Sequence, residues 1–413
     1  MRALSKLLKA IVSKGQLVIF DVKGNRFVFG GIEPGPHACV KIHDERLYSK
    51  LLYSFELGAA EAYMDGTLTL ENGTSLNDVL SVFVINNNIA EQKPFYKALL
   101  RVFTWIQRRG HHLNINRTKA QVRHHYDLST DLYRLFLDEG LNYSCGYFKD
   151  PAVPLELAQK AKLDHILAKL DLKPGMRVLE IGGGWGSLAI RMGQAGFDVT
   201  SLNVSNEQIK IARERVANAG LSDSVKFVCK DYNEFEGRFD RVVSVGMMEH
   251  VGIGNYGRYF SMIRRCLKDD GFALIHAIGR YTPPSYESSF MNKYIFPGGY
   301  CPSMSEVFEE TEKTKLWVCD SEIWRLHYHY TLEHWAQNFA KNRAQIKEIY
   351  DERFCRMWEF YLAACSVMFL HGKMMVFQIL LSKERSAVPI IRDYMFENEI
   401  EINEESESTR RRA

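Results

Sequence analysis

The chain has 413 residues, a formal net charge of +3 at pH 7 and 25% charged residues. This length suits a catalytic domain of about 270 residues with a smaller N-terminal domain, and the small net charge means that any basic surface is local. The eight cysteines include no C-x-x-C pair, which argues against a zinc site or a disulfide framework and predicts reduced thiols in a cytoplasmic, metal-free protein.

Residues 1–92 predict a small N-terminal α+β accessory domain. The stretch LVIFDVKGNRFVFGG alternates apolar and polar residues around a Lys-Gly turn, which indicates a β-hairpin. The segment RLYSKLLYSFELGAAEAYMDGTLTLENG then places apolar residues at helical spacing and closes in a short strand. No catalytic constellation is evident here, so we interpret the domain as a scaffold that can pair subunits, which predicts a homodimer.

The sequence predicts no secretory signal and no membrane-spanning helix. The opening MRALSKLLKAIVSKG has basic residues among its apolar ones, unlike a signal peptide. The most apolar later run, YLAACSVMFLHGKMMVFQILL, is interrupted by His371, Gly372 and Lys373. Any membrane contact is therefore expected to be peripheral, at the inner surface of the membrane.

A basic linker is predicted over residues 93–123. This segment has no acidic residue, and aromatic and aliphatic residues from Phe95 to Ile106 interleave with its basic ones. The pattern favours a helix on an anionic membrane surface over a nucleic-acid contact, because the apolar complement is large. An ordinary interdomain helix with a solvated basic face is the alternative.

The stretch VLEIGGGWGSL, residues 178–188, predicts a strand, a tight glycine loop and a helix start. Glycine permits positive φ and a close approach of a ligand to the backbone. The spacing differs from the G-x-G-x-x-G of a dinucleotide site. With Glu180 before it, the loop suits a ligand with an amine or a sulfonium, although a βα turn without a ligand remains an alternative.

Strand-like runs separated by helical stretches follow the loop, which predicts a parallel sheet covered on both faces. These runs are 197–205, 225–231, 239–246 and 271–279. Two later ones, 316–326 and 374–382, predict a closing hairpin with an antiparallel last strand. This is the Rossmann-like α/β architecture of the class I S-adenosylmethionine-dependent methyltransferases, predicted here over residues 124–395.

Several motifs together resemble the cyclopropane-fatty-acyl-phospholipid synthase family. They span about residues 120 to 385 and comprise HHYDLSTDLYRLFLDEGLNYSCGYF, VLEIGGGWGSLA, SNEQ, FDRVVSVGMMEHVGIGNYGRYF, NKYIFPGGYCPS and FYLAACSVMFLHG. Two positions depart from the family: Gly183 stands where a cysteine is common, and Asn203 where a threonine is usual.

The resemblance implies methyl transfer from S-adenosylmethionine to a cis double bond of a phospholipid acyl chain, with bound bicarbonate as the base for ring closure. The implied bicarbonate-binding residues are Cys145, Glu249, His276 and Tyr328, with the backbone near Ile278. Cys365 is a further candidate from the resemblance. Taken alone, the two cysteines and the tyrosine could be core residues, and Glu249 could begin a helix.

The same resemblance implies a cofactor site along the sheet. Its predicted residues are Gly182, Gly184 and Gly186 for close backbone, Asn203 for a ribose hydroxyl, Gln208 in SNEQ, Asp231 and Tyr232 for adenine, and Tyr126, Tyr143 and Ser144 as a lid. A methyl-branched or methylene product is the nearest alternative, followed by a small-molecule O- or N-methyltransferase and a lipid-binding module. The charged tail, residues 396–413, is expected to be disordered.

Overall fold

The computed structural model describes residues 1–90, 128–285 and 288–412. The strands are β1 (Lys14–Phe20), β2 (Arg26–Gly30), β3 (Glu33–Ile42), β4 (Leu68–Leu70), β5 (Arg177–Ile181), β6 (Asp198–Asn203), β7 (Val225–Cys229), β8 (Phe239–Val245), β9 (Leu267–Arg280), β10 (Trp317–Trp324) and β11 (Met374–Ser382). The helices are α1 (Arg2–Ile11), α2 (Arg46–Tyr53), α3 (Phe55–Met64), α4 (Leu76–Ala90), α5 (Thr130–Arg134), α6 (Leu155–Leu170), α7 (Ser187–Gln194), α8 (Asn206–Asn218), α9 (Met248–Val251), α10 (Tyr256–Cys266), α11 (Met304–Lys313), α12 (His327–Lys341), α13 (Arg343–Ile349), α14 (Glu352–Leu370) and α15 (Asp393–Arg412).

The described residues divide into two compact units. The first contains residues 1–90 together with 285, 288–297 and 332–374, and the second contains 128–284, 298–331 and 375–412. The domain boundaries predicted at 92/93 and 123/124 lie outside the described residues, as does the whole basic linker.

The first unit is built on a four-stranded sheet in the order β2-β1-β3-β4. The predicted hairpin is confirmed: β1 and β2 pair antiparallel, with Val18 opposite Val28. Its turn is held by Asp21, whose Oδ1 accepts hydrogen bonds from the backbone N–H groups of Lys23 (2.9 Å) and Asn25 (2.8 Å). Gly24 has φ +83°, a conformation that glycine adopts without strain.

Two segments that the sequence assigns to the catalytic domain lie in the first unit instead. Within this unit α14 is joined to α3 by polar contacts: Tyr63 Oη donates to Glu359 at 3.2 Å, and Arg353 forms a 2.8 Å ion pair with Asp65, the residue after α3. Contacts between positions so far apart in the chain leave no local sequence pattern, which explains why the sequence did not predict this division.

The second unit has the predicted α/β fold. Its seven-stranded sheet has the order β10-β11-β9-β8-β5-β6-β7. The pairs β5–β6, β6–β7, β5–β8 and β8–β9 are parallel, whereas β10 and β11 are antiparallel. The sheet is therefore mixed and mostly parallel, and the carboxyl ends of β5, β6, β7, β8 and β9 meet at one edge.

Apolar residues cover both faces of this sheet. Alternate residues of β9 divide between the faces, with Phe272 and Leu274 in one buried cluster and Ala273 and Ile275 in the other. Helices α6, α7, α8 and α15 contribute to the first of these clusters, and α10 and α11 to the second. This two-sided burial is typical of parallel sheets.

The tail that was expected to be disordered begins as a packed helix, so that prediction is wrong for the start of α15. Met395 is buried in the core cluster that includes α6. Asn398 Nδ2 donates at 3.1 Å both to the carbonyl of Ala168 and to Asp171 Oδ1, at the end of α6. Carbonyls in the last turn of a helix lack intrahelical donors, so this side chain gives the acidic segment a specific docking site that its composition does not reveal.

Candidate active site

The glycine loop joins β5 to α7 and is tied to β6. The backbone N–H groups of Gly182 and Gly183 donate to the carbonyl of Leu202 at 2.9 and 3.1 Å. Gly182, Gly184 and Gly186 all have positive φ, of +86°, +52° and +89°. A Cβ added at Gly184 would meet no atom within 4 Å, so this backbone is open to a close approach.

Gly183 is required by its surroundings rather than by a ligand. A Cβ at this position would lie 1.9 Å from Ser201 Oγ and 2.7 Å from Glu180 Oε2. Ser201 Oγ donates to Glu180 at 2.6 Å, and burial raises the pKa of Glu180 to about 7. Ser201 therefore fills the space that a cysteine side chain would need, and Glu180 supports the loop from the protein interior.

Asn203 connects the glycine loop to the start of α8. Its Nδ2 donates to the Gly184 carbonyl at 3.1 Å and to Gln208 Oε1 at 3.0 Å. Its Oδ1 accepts from the N–H groups of Val204 and Ser205 at 2.7 and 3.0 Å. Because an amide has two N–H donors and two acceptor lone pairs, these contacts use all of them. Asn203 thus positions the loop and Gln208, which argues against the predicted direct bond to a ribose hydroxyl.

Asp231 and Tyr232 follow β7 at the same edge of the sheet. Asp231 Oδ1 accepts from the backbone N–H and from the side-chain amide of Asn233, at 2.9 and 2.8 Å. The Tyr232 ring packs edge-on against Tyr259, with 5.6 Å between centroids. Both predicted residues are partly exposed and thus accessible at the end of the strand.

The predicted lid residue Ser144 is supported by α6, and Tyr143 packs edge-on against Tyr133 with 5.2 Å between centroids, whereas Tyr126 lies outside the described residues. Lys162 Nζ donates to Ser144 Oγ at 2.9 Å, and Gln159 Nε2 donates to the Ser144 carbonyl at 2.9 Å. Burial lowers the pKa of Lys162 to about 8. Lys162 and Gln159 were not predicted from the sequence. Their signal there is a pair of polar residues three apart, in a helix that is largely buried in the structure.

Glu249 lies on α9, directly after β8. Its Oε1 accepts a 2.6 Å hydrogen bond from the backbone N–H of Ile278. Within the part of the chain that the structure describes, its buried Oε2 has no hydrogen-bond partner. Burial raises the pKa of this carboxyl group to about 7. The structure thus brings Glu249 and Ile278 together, with the Ile278 N–H directed at the carboxylate.

His276 lies near the end of β9, two residues before Ile278. It is buried, and burial moves its pKa well below the ordinary value, so the ring is neutral. Its Nδ1 is 3.1 Å from Nε2 of Gln378 on β11. Its ring also packs edge-on against Trp324, with 5.0 Å between centroids.

The Cys145 loop is fastened to the start of α12, the helix that carries Tyr328. The N–H of Gly146 donates to Thr331 Oγ1 at 3.0 Å, and the N–H of Phe148 donates to His327 Nδ1 at 2.9 Å. Burial raises the pKa of the Cys145 thiol far above its usual range, so the thiol is neutral, and its Sγ donates to the Gly146 carbonyl at 3.4 Å.

Trp324 links these parts of the site. Its ring lies 5.0 Å from His276, 5.3 Å from His327 and 4.8 Å from Tyr147, between centroids. His276 thus lies near both the Cys145 loop and the start of α12. Cys365, in contrast, lies on α14 in the first unit, and burial raises the pKa of its thiol to about 12.

Two features that the described residues lack bear on the class of site. Across residues 1–90, 128–285 and 288–412, no three His, Cys, Asp or Glu side chains are grouped to hold a metal ion. The helices of those same ranges include none with the length and apolar character needed to cross a membrane.

A sheet with this strand order and a glycine loop after its first strand, open at Gly184, defines a class I S-adenosylmethionine-dependent methyltransferase. The sequence matches the family described as mycolic acid cyclopropane synthetase over residues 114–379. The chain belongs to this family and is an S-adenosylmethionine-dependent methyltransferase of the cyclopropane synthase type.

Similarity to individual proteins extends beyond the catalytic segment. Cyclopropane-fatty-acyl-phospholipid synthase of Escherichia coli K12 is 36% identical over 353 residues, which cover 84% of this chain and 88% of that protein. Tuberculostearic acid methyltransferase UfaA1 of Mycobacterium tuberculosis is 38% identical over 282 residues, or 65% of this chain and 66% of that protein. The crystal structure of the mycolic acid cyclopropane synthase CmaA1 with SAH and CTAB aligns with a TM-score of 0.60 at 34% identity, covering 63% of this chain and 97% of that one.

Proposed function

We propose that this enzyme converts a cis double bond of a phospholipid acyl chain into a cyclopropane ring, with bound bicarbonate as the base. The observation that carries the proposal is the Glu249 carboxyl group. One of its oxygens is bonded to the backbone of Ile278, while the other is buried among the described residues without a partner. Buried polar atoms are nearly always satisfied, so this oxygen is suited to a bound hydrogen-bond donor.

The protein's contribution to methyl transfer is positioning in a dry site. When bound, S-adenosylmethionine supplies a reactive methyl group on a positively charged sulfur. The open backbone of Gly184 would hold the cofactor, with Gln208, Asp231 and Tyr232 along the strand ends. An alkene is a weak nucleophile, so the site must align it with the methyl group and exclude water.

Ring closure needs a base near the added methyl group, because attack by the alkene leaves a carbocation. The residues fit bicarbonate as that base. Glu249 Oε2 can accept its hydroxyl hydrogen, and His276, the Cys145 thiol and the Tyr328 phenol can donate to its oxygens. Bicarbonate held there would supply the acceptor for the proton lost by the added methyl group.

Membrane docking and dimerisation belong to the same proposal. A phospholipid acyl chain must leave the bilayer to react, and the basic, aromatic-rich segment 93–123 suits an anionic surface on the inner face of the membrane. We propose that the first unit, which has its own sheet and core, pairs the subunits of a homodimer. Both proposals can be tested separately from catalysis.

A second product is supported by the relatives. Tuberculostearic acid methyltransferase is 38% identical over 65% of this chain, against 36% over 84% for the E. coli synthase, and its name indicates fatty acid methylation. A hydride shift in the carbocation, followed by loss of a proton from the added methyl group or from a neighbouring chain carbon, would give a methylene chain or an unsaturated methyl-branched chain.

Product analysis decides between the two. Purified protein is incubated with S-adenosylmethionine, bicarbonate and vesicles of a cis-monounsaturated phospholipid, and the acyl chains are analysed by mass spectrometry. A gain of one CH₂ with ring-type fragmentation supports the cyclopropane product, whereas branch-type fragmentation supports the second. No change in acyl mass would overturn both.

A further inference from the structure

A row of buried polar side chains connects α6 to His276. Gln378 lies on β11 within the apolar run MMVFQILLS and is 1% exposed. Its Nε2 lies 3.1 Å from His276 Nδ1, and its Oε1 accepts a 2.9 Å hydrogen bond from Lys169 Nζ. Both ends of this buried amide therefore have a partner, as buried polar groups require.

The pleat of the sheet explains why these side chains meet. Successive residues of a strand point to opposite faces. Leu274 on β9 and Leu380 on β11 belong to the core cluster that includes α6. His276 and Gln378 are each two residues from these leucines and so share their face. Lys169, in the last turn of α6, lies on that face too.

The chemistry of Lys169 sets the orientation of the Gln378 amide. An ammonium group has three donors and no acceptor, so the amide atom that faces it must be the oxygen. The NH₂ group of Gln378 consequently faces His276 and donates to Nδ1. Since the buried imidazole is neutral, its single proton is left on Nε2.

The positive charge of Lys169 is stabilised by a neighbouring carboxylate. Glu322, directly opposite Gln378 in the β10–β11 ladder, bonds to Lys169 Nζ and lies 2.9 Å from Nε2 of His165. Burial lowers the pKa of Lys169, while the Glu322 carboxylate opposes that effect. A fixed negative partner thus favours the ammonium form, which can only donate.

We infer that Gln378 and Lys169 are positioning residues that fix the tautomer of His276, so that Nε2 carries the proton and donates within the site. The inference rests on the proposed function, in which His276 donates to bicarbonate. The hydrogen-bonded relay Lys169–Gln378–His276, however, is a property of the protein alone. If Gln378 could rotate, its oxygen could accept from Nδ1–H, and the donor at Nε2 would be lost.

The direct test is nuclear magnetic resonance of ¹⁵N-histidine-labelled protein without substrates. Long-range ¹H–¹⁵N correlations report which ring nitrogen is protonated, and the His276→Asn spectrum assigns His276 among the 13 histidines. We expect the neutral Nε2–H tautomer in the wild type. In Gln378→Glu, a carboxylate of the same shape cannot donate to Nδ1, so we expect a proton on Nδ1.

Lysine variants test the second part of the relay. Lys169→Met removes the cation that orients the amide, so the single Nε2–H tautomer should be lost, whereas Lys169→Arg keeps a donor-only cation and should restore it. Gln159→Glu is the matched control, because Gln159 is equally buried but contacts Ser144. This control should leave the His276 tautomer unchanged.

Kinetics then connect the relay to the reaction. Hydrogen-bond partners of metal-ligating histidines typically matter about 10- to 100-fold. By analogy, Gln378→Glu should lower turnover by about that factor and raise the bicarbonate concentration for half-maximal rate. Affinity for S-adenosylmethionine should stay within a few-fold of the wild type, and circular dichroism checks folding.

The outcomes separate the inference from the proposed function. A wild-type His276 protonated on Nδ1, or an unchanged tautomer in both Gln378→Glu and Lys169→Met, overturns the inference. If Gln378→Glu does not fold, the comparison of Lys169→Met with Lys169→Arg decides. If the tautomer changes as expected but product formation is insensitive to bicarbonate, the relay stands and the proposed base is wrong.

Discussion

Glu249 and Gly184 show how a single residue can indicate function at the residue scale. Glu249 has one oxygen fixed by the Ile278 N–H and the other buried without a partner in the described chain. Gly184 has a backbone conformation with positive φ and open space where a side chain would be. In both cases the protein leaves a group available that an ordinary core would have covered.

Glu249→Gln should abolish most ring formation. The amide keeps the volume but presents an N–H where bicarbonate has to place its own O–H, so the base is lost or misoriented. We expect turnover to fall by about 10²- to 10⁴-fold, the usual contribution of a positioned general base. The measurement is acyl-chain mass and branching from purified variant, vesicles, S-adenosylmethionine and controlled bicarbonate.

Glu306→Gln is the control for Glu249→Gln. Glu306 is also buried, but its carboxylate caps α11 by accepting from the N–H and hydroxyl of Ser303 at 2.9 and 3.0 Å. Its substitution should lower stability with a much smaller effect on turnover. Near-normal cyclopropane yield from Glu249→Gln, with no dependence on bicarbonate, would show that Glu249 has another role.

Gly184→Val should abolish binding of S-adenosylmethionine. A β-branched residue resists φ +52° and would fill the open side of the loop. Gly220→Val is the matched control, because Gly220 has φ +69° and equally open space but lies outside the loop, after α8. Calorimetric titration of both folded variants is the measurement. Affinity of Gly184→Val within a few-fold of the control would contradict the prediction.

At the scale of elements, α15 is held to α6 by contacts that differ in kind. Asn398 satisfies the end of α6, Met395 is buried, and Glu399 Oε2 lies 3.6 Å from His165 Nδ1. Burial opposes the charge on His165, but its hydrogen bonds to Glu322 and Glu399 outweigh burial and raise its pKa. The ion pair therefore makes the docking of this helix dependent on pH.

Glu399→Gln should weaken that pH dependence, because His165 keeps its hydrogen bond to Glu322. A raised folded-state pKa gives stability that is fully present below the unfolded pKa of about 6.5 and is lost as pH rises through the folded value. The variant should therefore be less stable than the wild type, by about 1 kcal/mol below pH 6 for a partly exposed pair. The difference should shrink at alkaline pH.

Denaturant unfolding of both proteins across this range is the measurement. Glu397→Gln is the control, because Glu397 lies on the same helix and is exposed. Equal differences at low and high pH would show that Glu399 acts without His165.

Regular secondary structure was predictable from the sequence, whereas the contacts of single buried polar residues were not. Strands β5 to β9 and the β1–β2 hairpin follow from apolar runs and turn residues, which are local. The prediction of a disordered tail was wrong because Asn398 packs against the end of α6, and the local sequence does not show where in space that helix ends. Gln378 had one signal, an amide inside the run MMVFQILLS, but its meaning depends on Lys169, 209 positions away in the chain.

At the scale of the whole molecule, charge bears on how the enzyme reaches its lipid. Changing Arg101, Arg108 and Arg109 together to Gln should weaken binding to anionic vesicles and leave cofactor affinity unchanged. Each basic residue contributes about 1 kcal/mol near such a surface, and added salt should mimic the change by screening. These residues lie outside the described ranges, so the prediction rests on sequence alone.

The control for vesicle binding is an equal loss of charge elsewhere. Changing the exposed Lys210, Lys226 and Lys230 to Gln also lowers the formal net charge from +3 to 0. Vesicle co-sedimentation compares the two triple variants. Equal binding by both would show that the basic segment is only a solvated linker.

The strand order of the second unit determines when its sheet can be completed during synthesis. β11 is the last strand made, yet it lies between β9 and β10. β10 ends at Trp324 and β11 begins at Met374, 50 residues later, which take about 3–10 s to translate. During that interval the edges of β9 and β10 that β11 later covers remain unpaired, and unpaired strand edges promote aggregation. A premature stop before Met374, where β11 begins, would therefore leave an aggregation-prone sheet rather than a shortened enzyme.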